Sequence, residues 1–250
     1  MRIALLSDIH GNSVALDAVL AALREEGGID AYWVLGDLVA LGHDPVGVLE
    51  RLSQLPNLRC TRGNTDRYVV TGDRPPPTRE QVQEDIALLP IFKEVAETFA
   101  WTQGAITAKG WLEWLTNLPL ELREELPDGT RFLGVHAAPG KDDGTGIHDD
   151  LSPDEIGALL IECQAELVCV GHTHRPMQIV VQGKHVVNLG SVGLALPPDV
   201  RASYVLLSAE ASGYSIEHKR VDYPRQEAIA ALKERRHPGA SFIIKHLQGS

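Results

Sequence analysis

Cysteine is scarce in this 250-residue chain, basic residues are outnumbered by acidic ones, and long apolar runs are missing. Each shortage removes a class of protein. Cys60, Cys163 and Cys169 form an odd, small set for this length, which argues against a disulfide framework. Cys60 and Cys169 lie in apolar stretches (NLRCT and ELVCV) and read as core packing. No run is long enough to span a bilayer. The apolar part of the opening MRIALLSDIHG is too short for a signal peptide and is interrupted by Asp8. A cytoplasmic protein with no membrane partner is therefore expected. Lys and Arg number 23 against 34 Asp and Glu, a formal net charge of −11. Such a field repels duplex nucleic acid, whose binding rests on neutralised phosphates. A small phosphorylated substrate remains compatible, because bound dications reverse the potential locally.

What is present is enough to build a sizeable core, since 44% of the residues are hydrophobic. Ile3–Leu6 reads as a buried strand ending at Ser7-Asp8-Ile9-His10-Gly11-Asn12. Asn12 or Ser13 can cap a following helix, in which Val14, Leu16, Val19, Leu20 and Leu23 recur at helical spacing until Gly27-Gly28. AYWVLGD gives a second strand, Pro45 opens a helix through Leu52, and NLRCTRGN gives a third strand. This alternation predicts an α/β sheet. After Pro75-Pro76-Pro77 the chain reads as mostly helical from Thr78 to Leu118, with three of the four tryptophans. Packing onto the sheet is the favoured reading of this insertion (about 75–118), and a cap over a substrate pocket is the alternative. The second half predicts strands at RFLGVHAAPG, ELVCVGHTHRP, Ala202–Leu207 and Tyr214–Val221. It also predicts a hairpin turning at Gln182-Gly183, and helices over Pro153–Ile161 and Pro224–Arg235.

Polar clusters close most of these strands. In order they are Asp8-Ile9-His10, Gly36-Asp37, Gly63-Asn64, His136 and Gly171-His172-Thr173-His174. In open α/β sheets, sites form at the carboxyl ends of strands, so these side chains are expected at one edge. Any one of them alone has an ordinary structural reading as a turn or a core histidine. Together they offer seven oxygen and imidazole donors, too many for one ion and suited to two, with no cysteine in the set. Mn²⁺ is the first expectation, with Fe, Zn²⁺, Co²⁺ or Ni²⁺ also compatible. If the strand ends stay extended, Asp8 and His10 share a face, and His172 and His174 repeat that geometry.

These motifs resemble those of the calcineurin-like metallophosphoesterase superfamily: D-x-H, G-D, G-N-H-[DE], a later H, and G-H-x-H. The stretches GDLVALGHDP, WTQGAI, WLTNLPL, GHTHRP and VVNLGSVGLALPPDVRASY resemble its small bacterial phosphodiesterase-like branch, and the likeness spans most of residues 1–221. The resemblance implies a single domain over 1–250 with a four-layer α/β/β/α sandwich of two mixed sheets. It implies that Asp8, His10, Asp37 and His174 hold one metal, and that Asp37, Asn64, His136 and His172 hold the other. Asp37 would bridge the two ions that activate water. One departure stands out: the family often has His after Asn, and here the position is Thr65. Threonine is no acid near neutral pH, which favours a phosphodiesterase acting on a nucleotide or other small phosphate ester. The alternatives are a phosphomonoesterase or Ser/Thr protein phosphatase on the same scaffold, and, last, a non-catalytic binding scaffold. His43, in GHDP, is a candidate proton donor whose plainer reading is an exposed loop histidine. Arg62 and Arg175 flank the motifs as candidate phosphate contacts. The helical insertion is a candidate surface for self-association.

Overall fold

The computed structural model describes residues 1–249. The first apolar run forms β1 (Arg2–Leu6), and its alternation sorts its side chains onto two different cores. Ile3 and Leu5 point between two sheets, while Ala4 and Leu6 point toward helices. β1 pairs in parallel with β2 (Ala31–Leu35), which pairs in parallel with β3 (Leu58–Thr61). On its other side β1 meets β9 (Ala202–Glu210), and β9 meets β10 (Gly213–Val221), both antiparallel. The second sheet runs β4 (Glu121–Glu125), β5 (Arg131–Val135), β6 (Leu167–Val170), β8 (Lys184–Asn188), β7 (Met177–Val181), with β5, β6 and β8 parallel.

The two sheets pack face to face. Trp33 and Phe132 meet at 4.8 Å between ring centroids, among Ile3, Leu5, Leu167, Val187 and Val205. The outer face of the first sheet carries α1 (Ser13–Glu26), α2 (Pro45–Leu52), α3 (Asn64–Thr71), α5 (Leu89–Ala108), α6 (Leu112–Thr116), α8 (Arg225–Glu234) and α9 (Ala240–Gln248). The outer face of the second is covered by α7 (Pro153–Leu159), through Ile156, and by loops. Two mixed five-stranded sheets with helices outside give the α/β/β/α layering expected from the sequence. Among the described residues no helix is long and apolar enough to cross a membrane.

The insertion comprises α4 (Arg79–Glu84), a 3-10 turn at Ile86–Leu88, α5 and α6. Phe99 and Ile106 of α5 and Leu115 of α6 enter the same core as α1 and α3, so these helices pack as a layer. Predicted and observed bounds agree for α2 and differ by one to two residues at the ends of α7 and α8. Three elements went unread. β4 (ELREE) places only Leu122 in the core, so its alternation is faint. α3 begins inside a motif read as a turn, and α9 follows a His-Pro-Gly break.

Two histidines are buried within the helical layer. His43, just before α2, is 3% exposed, as is His237 between α8 and α9. His43 Nε2 lies 3.3 Å from the Ser13 hydroxyl, and the His237 ring stands edge-on to Trp101 at 4.6 Å. Burial pushes both imidazoles down to about 4. An unfolded histidine titrates near 6.5, so the unfolded chain binds more protons below that pH. Stability from these groups is complete above about pH 6.5 and is lost as the pH falls toward 4. Thermal midpoints measured from pH 7 to pH 4 should fall, and fall less steeply in His43→Gln or His237→Gln. Equal slopes in wild type and variants would contradict this assignment.

Candidate metal centre

The carboxyl ends of β1, β2, β3, β5 and β6 come together at one edge of the sandwich, and each delivers part of the predicted set. Asp8 and His10 follow β1, Asp37 follows β2, Asn64 opens α3 after β3, His136 follows β5, and His172 and His174 follow β6. Asp8, His10, Asp37, Asn64 and His136 are buried, and His172 and His174 are half-buried.

The strand ends do not stay extended. Asp8, His10, Asp37, His172 and His174 have φ of 56°, 50°, 55°, 70° and 58°. They are five of the nine non-glycine residues with positive φ among those described, so this conformation is concentrated at the centre. Asp and His tolerate the left-handed region better than most residues, at a cost of about 1–3 kcal/mol each. The shared face of Asp8 and His10 thus comes from a coiled-up backbone rather than from strand alternation. Two glycines permit the closeness. A Cβ on Gly63 would stand 2.0 Å from Asp37 Oδ1, and one on Gly171 would stand 1.9 Å from Ser7 Oγ and 2.4 Å from Asp8 Oδ2.

Backbone carbonyls aim the histidines. His10, His136 and His174 place Nδ1 at 3.2, 2.8 and 2.7 Å from the carbonyl oxygens of Ala40, Leu35 and Leu194. A carbonyl only accepts, so in the neutral ring each Nδ1 carries the proton and Nε2 presents a lone pair inward. His172 is reversed: its Nε2 donates to Gly144 O at 2.8 Å and its Nδ1 faces inward.

With the rings neutral, the inward atoms are acceptors facing acceptors. His10 Nε2 and His174 Nε2 are 3.0 Å apart. Asn64 Oδ1 lies 3.1 Å from His136 Nε2 and 3.0 Å from His172 Nδ1. Asp8 Oδ2 accepts from Ser7 Oγ and from the His172 N–H, at 2.6 and 3.0 Å. Asp8 Oδ1, fully buried, has no hydrogen-bond partner, yet Nε2 of His174, His10 and His136 stand 3.1, 3.7 and 3.9 Å from it. Asp37 Oδ2 lies between His136 and His10, at 3.3 and 3.6 Å from their Nε2 atoms. Such a collection of inward lone pairs calls for cations, and it groups as Asp8-His10-His174 and Asp8-Asp37-His136. The donors fit divalent metals.

Sequence reasoning missed the supports. Asp66 accepts the N–H groups of Leu38 and Gly63, both at 2.9 Å, and so ties the loop after β2 to the start of α3. An acidic residue three positions after Gly63, in the first turn of α3, was the available signal. Asp142, in the loop after β5, accepts from Arg62 Nε at 2.7 Å and Arg67 Nε at 3.1 Å. Arg62 is therefore held on a neighbouring carboxylate, and Arg175 pairs with Asp149 and Asp150. His43 is a correction. It is buried rather than exposed, and its neighbours (Ser13, Asp44, Arg235, Arg51 and His237) include none of the seven donors.

Without metal, protons serve as the cations. Burial alone would push His136 down, but the carboxylates of Asp37 and Asp8 raise it to about 10. Burial would raise Asp37, and His136 instead brings it down to about 2. His136 is then protonated at pH 7 and must lose that proton to become a ligand. Loading with Mn²⁺ should release protons, and affinity should weaken as the pH falls. Calorimetric titration in two buffers of unlike ionisation enthalpy would reveal the release; buffer-independent heat would rule it out.

Residues 1–176 match the family described as calcineurin-like phosphoesterase. A metallophosphoesterase from Sphaerobacter thermophilus has a solved structure that is 25% identical with a TM-score of 0.76, covering 100% of this chain and 98% of that one. An uncharacterized protein of Methanocaldococcus jannaschii is 29% identical over 94% of this chain and 93% of its own length. A symmetrical bis(5′-nucleosyl)-tetraphosphatase of Acidovorax sp. is 33% identical over 55% of this chain, a match that spans only 44% of that relative. With its strand-end donors in place and the family match covering more than half its length, the chain belongs to the calcineurin-like phosphoesterases.

Proposed function

We propose that the chain is a phosphodiesterase with two divalent metals, acting on a nucleotide or other small organic phosphate ester. The observation that carries this reading is the unpartnered Asp8 Oδ1, buried against three imidazole nitrogens. Asp8, His10, Asp37 and His174 would hold one ion. Asp37, Asn64, His136 and His172 would hold the other, with Asp37 between them because its Oδ2 already lies between His136 and His10. Mn²⁺ is our first choice, and Fe, Zn²⁺, Co²⁺ and Ni²⁺ suit the same donors. Bound dications would supply Lewis acidity to the phosphoryl oxygens and lower the pKa of an attacking water.

The chain's own residues do the rest. Carbonyls of Ala40, Leu35 and Leu194 fix three imidazoles, so little reorganisation accompanies reaction. Thr65 supports the diester preference. Its N–H donates to Asp37 Oδ1 at 2.9 Å and its hydroxyl is buried without a partner. No acid stands there to protonate a poor leaving group. Similarity to the Acidovorax tetraphosphatase supports a nucleotide-like substrate.

Hydrolysis of bis-p-nitrophenyl phosphate should exceed that of p-nitrophenyl phosphate with Mn²⁺ and vanish on chelation. Asp37→Asn should lower kcat by about a hundredfold or more, as loss of a charge-stabilising group does elsewhere. Preference for the monoester would overturn the diesterase reading, and metal-independent turnover would overturn the centre.

A further inference from the structure

Beside the candidate metal centre lies a cavity of about 350 Å³, lined in part by His174. Small-molecule pockets run from about 300 to 1,000 Å³, so this one has room for a compact organic group. It opens between the His172–His174 loop and the loop joining β8 to β9. His174 thus serves two spaces: its Nε2 faces Asp8, while its Nδ1 is fixed on Leu194 O, next to Ala195 in the cavity wall.

Arg175, Arg201 and Arg220 line the same cavity, in a chain whose net charge is −11. Asp199 accepts from Arg201 Nε and Nη2 at 2.9 and 2.7 Å, and also from Arg220 Nη1. Asp199 alone serves both guanidiniums. It also holds the two forks side by side. Arg201 Nη1 and Arg220 Nη2 keep their donors free of hydrogen-bond partners among the described residues. A fixed pair of forks with spare N–H groups matches the oxygens of a phosphoryl group. Arg175 faces the carboxylates of both Asp149 and Asp150, so the spare donors of the cavity are those of Arg201 and Arg220.

We propose that this cavity is a subsite for a second phosphoryl group on the substrate, carried beyond the ester that is cut at the metal centre. The substrate class is then a phosphodiester with another phosphate a short distance away, as in a nucleoside bisphosphate ester. This rests on the phosphodiesterase reading above and specifies what that site selects.

A matched pair of substrates tests it: thymidine 5′-(p-nitrophenyl phosphate) and its 3′-phosphorylated counterpart. With Mn²⁺ and wild-type protein, the second phosphate should lower KM by about tenfold, the scale of a charge-assisted contact. In R201Q/R220Q that advantage should shrink to about twofold or less. Equal KM for the pair in wild type, or an advantage preserved in the double variant, would overturn the subsite. If wild type turned over neither compound, the phosphodiesterase reading would fail. The cavity would then be judged by calorimetry of thymidine 3′,5′-bisphosphate with metal-free protein: binding lost in R201Q/R220Q supports it, and binding equal in both overturns it.

Discussion

Two carboxylates and two imidazoles are buried almost completely at one end of the sandwich, with the half-buried His174 beside them and their lone pairs turned toward one another. An isolated ion in a protein interior costs several kcal/mol, and a buried acceptor facing another acceptor has no compensation from hydrogen bonding. The arrangement is tenable only with positive charge in the middle. Much of the surrounding structure reads as support for that requirement. Ser7 and the His172 N–H satisfy one Asp8 oxygen and leave the other for a cation. Thr65 N–H does the same for Asp37. The left-handed residues at the strand ends are a local cost of about 1–3 kcal/mol each, and they persist because the flanking strands and helices fix the chain on both sides.

Topology explains why the donors meet. β1, β2 and β3 are parallel, so their carboxyl ends share an edge. β5 and β6 are parallel in the other sheet and end at the same place. The centre is therefore also a joint between sheets, where His136 Nδ1 binds the carbonyl of Leu35 across the interface. The end of β8 and the segment after it close the centre from behind. Asn188 Nδ2 bonds Gly171 O and Thr173 Oγ1, and Ser191 Oγ bonds Asp8 O. Changes in the apolar layer around Trp33 and Phe132 would be felt at the metal donors, because close-packed interiors transmit strain.

The sequence was most legible where chemistry and periodicity coincide. Apolar runs closed by Asp, Asn or His marked β1, β2, β3, β5 and β6, and the seven donors do gather at their ends. Backbone conformation was not legible: alternation predicted an extended Asp8-x-His10, and the residues are left-handed instead. Polar residue types alone do not distinguish a strand that continues from one that coils around a site. Burial of His43 was hidden for another reason. Its cover comes from Ser13 and from the region of His237, far away in sequence. Asp142 likewise reaches Arg62 and Arg67 across 75 residues or more. Long-range partners of this kind leave no mark in local spacing.

Net charge sets a further condition on function. A chain of −11 meets an anionic phosphate ester with a repulsive field, screened beyond about 8 Å at physiological ionic strength. Within that distance the arginines near the centre offer limited help, since Arg62, Arg67 and Arg175 are each committed to aspartates. Those pairs orient the guanidiniums more than they attract ligand. Attraction must then come chiefly from the ions that the seven donors would hold. Metal occupancy and substrate capture are on this argument linked electrostatically: a proton on His136 only offsets the buried carboxylates, whereas bound dications would supply the positive potential that an anionic ester needs.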